Sequence, residues 1–183
     1  MRKVVYWVHT SVDGFIAGPN GEFDWPAMGP ELSAYSDEMN ERVDTFLYGR
    51  IVWELMSSYW PNADQISDHP HDLAFAKVWR TMPKVVFSKT LTEVGWGARL
   101  ETDVESALRA MKAQEGKDLL LTGGAGLAAT LAGLDLIDEY QVVVHPVVLG
   151  GGKQLFPFAQ RFDLKLADTR TFDGRAVLLS YRR

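Results

Sequence analysis

Leu119-Leu120-Leu121-Thr122-Gly123-Gly124-Ala125-Gly126-Leu127 is the stretch on which the reading of this chain turns. An apolar run stops at a glycine-rich turn, and a helical pattern then runs from Leu127 to Leu134. A buried strand feeding a glycine turn and then a helix makes a phosphate cradle. Glycine lets the backbone come close to an anion, and the free amides of the helix start point at it. The partial positive charge there is worth about 0.3–1 kcal/mol, rising to about 2 kcal/mol when partly buried. Without a ligand the same pattern is simply a tight strand-to-helix turn, so the other strand ends have to be read beside it.

Three of them carry suitable groups. Val4 to Thr10 is rich in β-branched and aromatic residues and reads as a buried strand, broken by Ser11-Val12-Asp13-Gly14. Thr45 to Tyr48 reads as a short strand ended by Gly49-Arg50, with a helix from Ile51 to Ser58 behind it. The planar fork of Arg50 suits a phosphate, although a surface ion pair is the commoner fate of an arginine. Lys84 to Ser88 is a strand closed by the hydroxyls and charge of Ser88-Lys89-Thr90. If these ends line one edge of a sheet together with Thr122 to Gly126, they form one extended groove for an anionic ligand.

The remaining pattern gives the frame. Leu32, Tyr35, Met39, Val43 and Phe46 recur at helical spacing, and Leu73 to Met82 suggests another helix. Pro61 to Pro70 reads as a loop. Thr102 and Glu105 have the spacing of a capping box ahead of the helix carrying Val104, Ala107, Leu108 and Met111. Tyr140 to His145 is a strand. Leu164 to Ala167 and Ala176 to Tyr181 are two late strands, and Asp173-Gly174 between them predicts an antiparallel hairpin. Gly18-Pro19-Asn20-Gly21 opens a loop that runs through Phe23, Asp24 and Trp25 to Pro30 and is expected to act as a lid. Strands alternating with helices, then a hairpin, predict an α/β fold: one domain over 1–183 with a mixed sheet and helices on its faces.

Composition narrows the function classes. The chain has 183 residues, 46% hydrophobic and 23% charged, with a net charge of -5 and no basic block. That is an ordinary globular composition and argues against nucleic acid as partner. With no cysteine, thiolate chemistry and cysteine zinc sites are excluded, and a cytoplasmic location is expected. The amino-terminal run is too short and polar for a signal peptide or a membrane span. His69 and His71 are two apart in a loop without a third ligand, so no metal is expected.

Familiar motifs fail on inspection. Gly124-Ala125-Gly126-Leu127-Ala128-Ala129 has dinucleotide-fingerprint spacing, but the acid expected about 20 residues on, at a strand end, is replaced by Val144-His145-Pro146. Asp138 and Glu139 lie at the wrong end of that strand. Gly152-Lys153 is followed by Gln154, which rules out a Walker loop. The motifs of serine hydrolases and zinc proteases are absent.

Taken in order, the motifs resemble the dihydrofolate reductase-like superfamily, in the branch of the C-terminal reductase domain of bacterial riboflavin biosynthesis. The resemblance rests on Ser11 to Ala17, Tyr48-Gly49-Arg50 with Trp53-Glu54, Lys84 to Ser88, Thr122 to Leu127, Asp138-Glu139, and Pro146-Val147 with Leu149-Gly150. It implies a three-layer α/β/α fold with a mostly parallel central sheet, NADPH as hydride donor, a small heterocyclic substrate of the pyrimidine or pterin class, and a homodimer. By position it puts His9, Thr10 and Ile16 near the nicotinamide, and Gly49, Arg50, Ile51 and Val52 near the adenosine side and phosphates. Phe87, Ser88 and Lys89 would hold the adenine and 2′-phosphate. Thr122, Gly123, Gly124, Ala125, Gly126 and Leu127 would carry the pyrophosphate. A cis Gly123–Gly124 bond is also implied.

The departures from the pattern concern the substrate. The first-helix carboxylate that holds a pteridine in folate reductases falls near Ser33, and its supporting hydroxyl falls at Val142. Folate chemistry is therefore not expected. Asp13 and Asp24 are the candidates for proton donor. The alternative in another class is an NADP(H)-binding module without turnover.

Overall fold

The computed structural model describes residues 1–183. Five parallel strands form the centre of an eight-stranded sheet: β1 (Val4–Ser11), β3 (Val43–Gly49), β4 (Lys84–Phe87), β6 (Asp118–Thr122) and β7 (Glu139–His145). With β5 (Arg99–Glu101), β9 (Lys165–Phe172) and β10 (Ala176–Arg182), the strand order is β5-β4-β3-β6-β1-β7-β10-β9. Every pair from β5 to β7 is parallel, whereas β10 runs antiparallel to β7 and β9. A short pair, β2 (Phe15–Ala17) with β8 (Lys153–Gln154), stands apart.

Alternation along the central strands sorts side chains onto two faces. Val4, Tyr6 and Val8 of β1 and Leu119 and Leu121 of β6 face one core, shared with Leu108 of α5 (Val104–Ala113) and Leu131 of α6 (Ala125–Gly133). Val5, Trp7 and Leu120 face the other. That core is covered by α1 (Pro30–Arg42), α2 (Arg50–Tyr59) and α4 (Pro70–Thr81) through Leu32, Trp53 and Trp79. Both faces being covered explains why the β6 run is apolar without alternation: all three leucines are buried. The expected three-layer α/β/α arrangement is thus the observed one.

Several local expectations are corrected. The apolar pattern from Leu32 to Phe46 is split: α1 stops at Arg42, because Val43 and Thr45 pair with Asp118 and Leu119 of β6. Tertiary pairing overrides helical periodicity there. Part of the segment read as a loop, 61–70, is helical: a 3₁₀ turn over Trp60–Asn62 leads into α3 (Ala63–Ile66), and Arg80 of α4 ties it down through Asp64 at 2.8 Å. The N-cap of α5 is Asp103, accepting from the Ser106 amide at 3.1 Å, so Thr102 and Glu105 form no capping box. The edge strand β5 carried too little apolar signal to be read.

The hairpin turn is as predicted, with φ of 56° at Asp173 and 62° at Gly174. It also does distant work. The Asp173 carboxylate accepts from the Glu31 and Leu32 amides at 2.9 and 3.2 Å, and the Asp173 amide donates to the Glu31 carboxylate. Helix α1, whose N-cap Gly29 has no side chain, is therefore capped from 140 residues away.

At the amino edge of the sheet the buried Glu139 carboxylate meets Lys3 at 2.9 Å and Arg42 at 2.8 Å. Asp138 accepts from the Val4 amide at 2.7 Å and from Lys112. This is the use of the two acids that stood at the wrong end for a nucleotide. No helix is long and apolar enough to cross a membrane.

Candidate functional site

Because β4, β3, β6, β1 and β7 are parallel neighbours, their carboxyl ends share one edge of the sheet. The register pairs Gly49 with Phe87, Leu47 with Leu121, Trp7 with Thr122, and Ser11 with His145. Arg50, Ser88, Gly124 and His9 are therefore on one side of the molecule.

Two helices begin side by side on this edge. Neither α2, with N-cap Gly49, nor α6, with N-cap Gly124, has a side-chain cap, so their first amides are free. The two starts touch. A Cβ on Gly124 would lie 3.1 Å from Val52 Cγ2, and one on Gly49 would lie 3.4 Å from Leu127 Cβ. Gly123 and Gly124 take successive positive φ values of 63° and 72°, which turn the chain from β6 into α6. The Gly123–Gly124 bond is trans, contrary to expectation; the tight turn is made by the two left-handed residues instead.

The other residues expected here divide by accessibility. Phe87 and Ala125 are buried, so they present backbone rather than side chain to the edge. Leu127 packs against the core beside them. Gly126 and Ile51 are exposed and Val52 is half-buried. Arg50 is exposed and held to Glu54 on the next turn at 3.0 Å. The Ser88 hydroxyl accepts from the Thr90 and Leu91 amides at 3.1 and 3.0 Å and lies 3.3 Å from the Thr90 hydroxyl. Lys89 is exposed. The Thr122 hydroxyl is buried without a partner.

On β1, Thr10 is buried and donates to the Phe15 carbonyl at 3.2 Å, and Ile16 is buried beneath it. His9 Nδ1 lies 2.8 Å from His145 Nε2. Burial pushes His9 down to about 3, with His145 and His71 adding to the effect, and pushes His145 down to about 4, with Arg175 adding. Both rings are neutral near pH 7. Phe23 and Trp25 close over them edge-on, 6.4 Å from His9 and 5.7 Å from His145 between ring centres. The loop expected as a lid thus has its two aromatic residues on this pair. A cleft of about 510 Å³, lined by Pro26, Met28, His69, Asp72, Phe172 and Arg175 but by neither His9 nor His145, opens where the loop runs on past Trp25.

The two candidate acids differ in their surroundings. Asp13 accepts from the Leu149 and Gly150 amides at 3.0 and 2.8 Å. A hydrogen bond from Ser11 and those two amides hold it below the usual carboxylate range, so it fastens a loop as an anion and has no proton to give at neutral pH. Asp24 is exposed on the lid loop. Ser33, near which a carboxylate was sought, is half-buried on α1, and two residues on the buried Tyr35 donates to Gln141 at 3.0 Å. Sequence reasoning missed His145 and Arg175. The available signal for His145 was a polar residue ending an otherwise apolar strand beside β1.

A family model described as the RibD C-terminal domain matches residues 2–178. The uncharacterized protein YyaP of Bacillus subtilis is 37% identical over 182 residues, covering 98% of this chain and 94% of that protein. A structure of a Shewanella sp. PV-4 protein provisionally assigned to riboflavin biosynthesis aligns with a TM-score of 0.76 at 25% identity, over 100% and 99% of the two chains. Dihydrofolate reductase from Enterococcus faecalis, in complex with NADP(H), shares the fold at a TM-score of 0.64 and 13% identity, over 99% and 96%. The chain belongs to the family of the RibD C-terminal domain, on a dihydrofolate reductase-like fold.

Proposed function

We propose that the protein is an NADPH-dependent reductase of a small heterocycle of the pyrimidine or pterin class. The observation that carries this reading is the contact between two uncapped helix starts, α2 and α6, at glycines whose missing Cβ atoms leave the amides approachable. Two adjacent sets of free amides suit the two phosphates of a dinucleotide. The cofactor supplies a hydride. The chain's residues bind and orient it: the amides of Gly124 to Leu127 and Arg50 to Val52 hold the pyrophosphate, and Ser88, Lys89 and Arg50 select the 2′-phosphate. Phe23 and Trp25 exclude water from the reacting end. Ser33 stands where folate reductases place the carboxylate that binds a pteridine's amidine edge, which favours pyrimidine-type over folate-type substrates.

The test is NADPH consumption against a panel of aminopyrimidines and dihydropterins, alongside binding. Oxidation of NADPH with an aminopyrimidine supports the reading. Tight NADPH binding with no turnover across the panel supports a binding module instead.

A further inference from the structure

We propose that His9 and His145 form a two-ring proton relay that protonates the substrate as it is reduced. This rests on the reductase reading above. The two residues stand on adjacent parallel strands, β1 and β7, on the same face of the sheet. Their rings, 5.1 Å apart between centres, share one hydrogen bond between Nδ1 of His9 and Nε2 of His145. Neither outer nitrogen, His9 Nε2 or His145 Nδ1, has a protein hydrogen-bond partner; His9 is half-buried and His145 is 2% exposed. A pair that served only packing would have its outer nitrogens satisfied. This one is linked in the middle and unpaired at both ends, the arrangement through which a proton enters at one ring and leaves from the other.

The surroundings fit that use. Trp7 lies beside His9 at 5.5 Å, and Phe23 and Trp25 roof the two rings. His71 of α4 and Arg175 of the hairpin disfavour a charge on the pair, Asp24 stands between Phe23 and Trp25 in the loop, and no carboxylate hydrogen-bonds either ring. His9 is the ring nearer the glycine cradle, since β1 lies between β6 and β7 in the sheet.

The bookkeeping of the step closes. As hydride adds to the carbon of a substrate C=N or C=O, the π electrons move to nitrogen or oxygen and take the proton from His9 Nε2. His9 Nδ1 receives the His145 Nε2 proton across the shared hydrogen bond. His145 Nδ1 takes one from water. Both rings end neutral with their tautomers reversed; before the next turnover His9 Nε2 takes a proton from water, the shared proton moves back to His145 Nε2 and His145 Nδ1 releases one, so one net solvent proton is consumed for each hydride transferred.

The test uses the full-length protein and two readouts. In the first, His145→Gln keeps an N–H donor at the position of Nε2 but has no second nitrogen to reload. NADPH affinity and melting temperature stay near those of the parent, while kcat with the fastest panel compound falls by about 100-fold or more at little changed KM. In the second, the ring nitrogens of His9 and His145 are followed by ¹⁵N NMR in the parent protein. Their signals move on adding NADP⁺ but not on adding 2′-phospho-ADP-ribose, which lacks the nicotinamide ring. His145→Gln turning over within about threefold of the parent overturns the relay. So do ring signals that respond equally, or not at all, to the two nucleotides, and this readout decides alone if no panel compound is turned over. If the parent binds neither nucleotide, the reductase reading fails and the relay fails with it.

Discussion

His9 Nδ1 and His145 Nε2 lie 2.8 Å apart at the carboxyl ends of neighbouring strands, and neither ring has a carboxylate to hold a charge on it. Burial keeps both neutral, with His9 titrating at about 3 and His145 at about 4. In the unfolded chain histidines titrate near pH 6.5. The folded protein therefore binds fewer protons than the unfolded one below that pH. Its stability is greatest above about pH 6.5 and falls as the pH drops toward 4.5, with an uptake of about two protons on unfolding from this pair. Denaturant titrations across that range measure the slope, and the His9→Gln, His145→Gln double variant flattens it. An unchanged slope in the double variant would contradict the neutral-pair description.

Gly124 combines a positive φ of 72° with a 3.1 Å approach to Val52 at the position a Cβ would occupy. Gly124→Ala is expected to lower stability by about 1–2 kcal/mol and to weaken nucleotide binding together with it. Adding Val52→Ala relieves the steric part only, so recovery is partial. Thermal melts with and without NADPH separate the two losses.

The charge cluster at the opposite edge supplies a control. Burial opposes ionisation of Glu139, but Lys3 and Arg42 outweigh it and hold the carboxyl below its ordinary range. Glu139→Gln leaves Arg42 and Lys3 without their shared partner; Arg42 keeps Asp118 and Lys3 is half-exposed, so the expected cost is about 1–3 kcal/mol of stability. NADPH affinity of the folded fraction stays that of the parent, because the substitution lies at the far end of the strands.

Legibility in the sequence followed burial. The Leu119–Leu121 run, the glycine turn and the Asp173-Gly174 hairpin were readable because a buried strand, a left-handed turn and a tight reversal each demand particular residues. The end of α1 was not, since Val43 and Thr45 leave the helix for a pairing with β6 that has no local signature. The same holds for the site. Its glycine side could be read from one segment, whereas the histidine pair joins residues 136 positions apart and appears only once β1 and β7 are neighbours. The cap of α1 by Asp173 was hidden for the same reason.

Arg50 is half-exposed and its pairing with Glu54 is a solvent-accessible one on the helix surface. Arg50→Ala is expected to change stability by less than about 1 kcal/mol. Lys89→Ala is expected to be similarly benign to the fold. Either change weakens NADPH by about tenfold or more through loss of a charge-assisted bond, and NADH by much less.

Calorimetric titration of the parent protein with NADPH and with NADH bears most directly on the proposed dinucleotide edge at Gly49, Ser88 and Gly124. Two charge-assisted bonds to the 2′-phosphate predict NADPH binding tighter than NADH by about 100-fold or more. Equal affinities, or no binding of either, would contradict it.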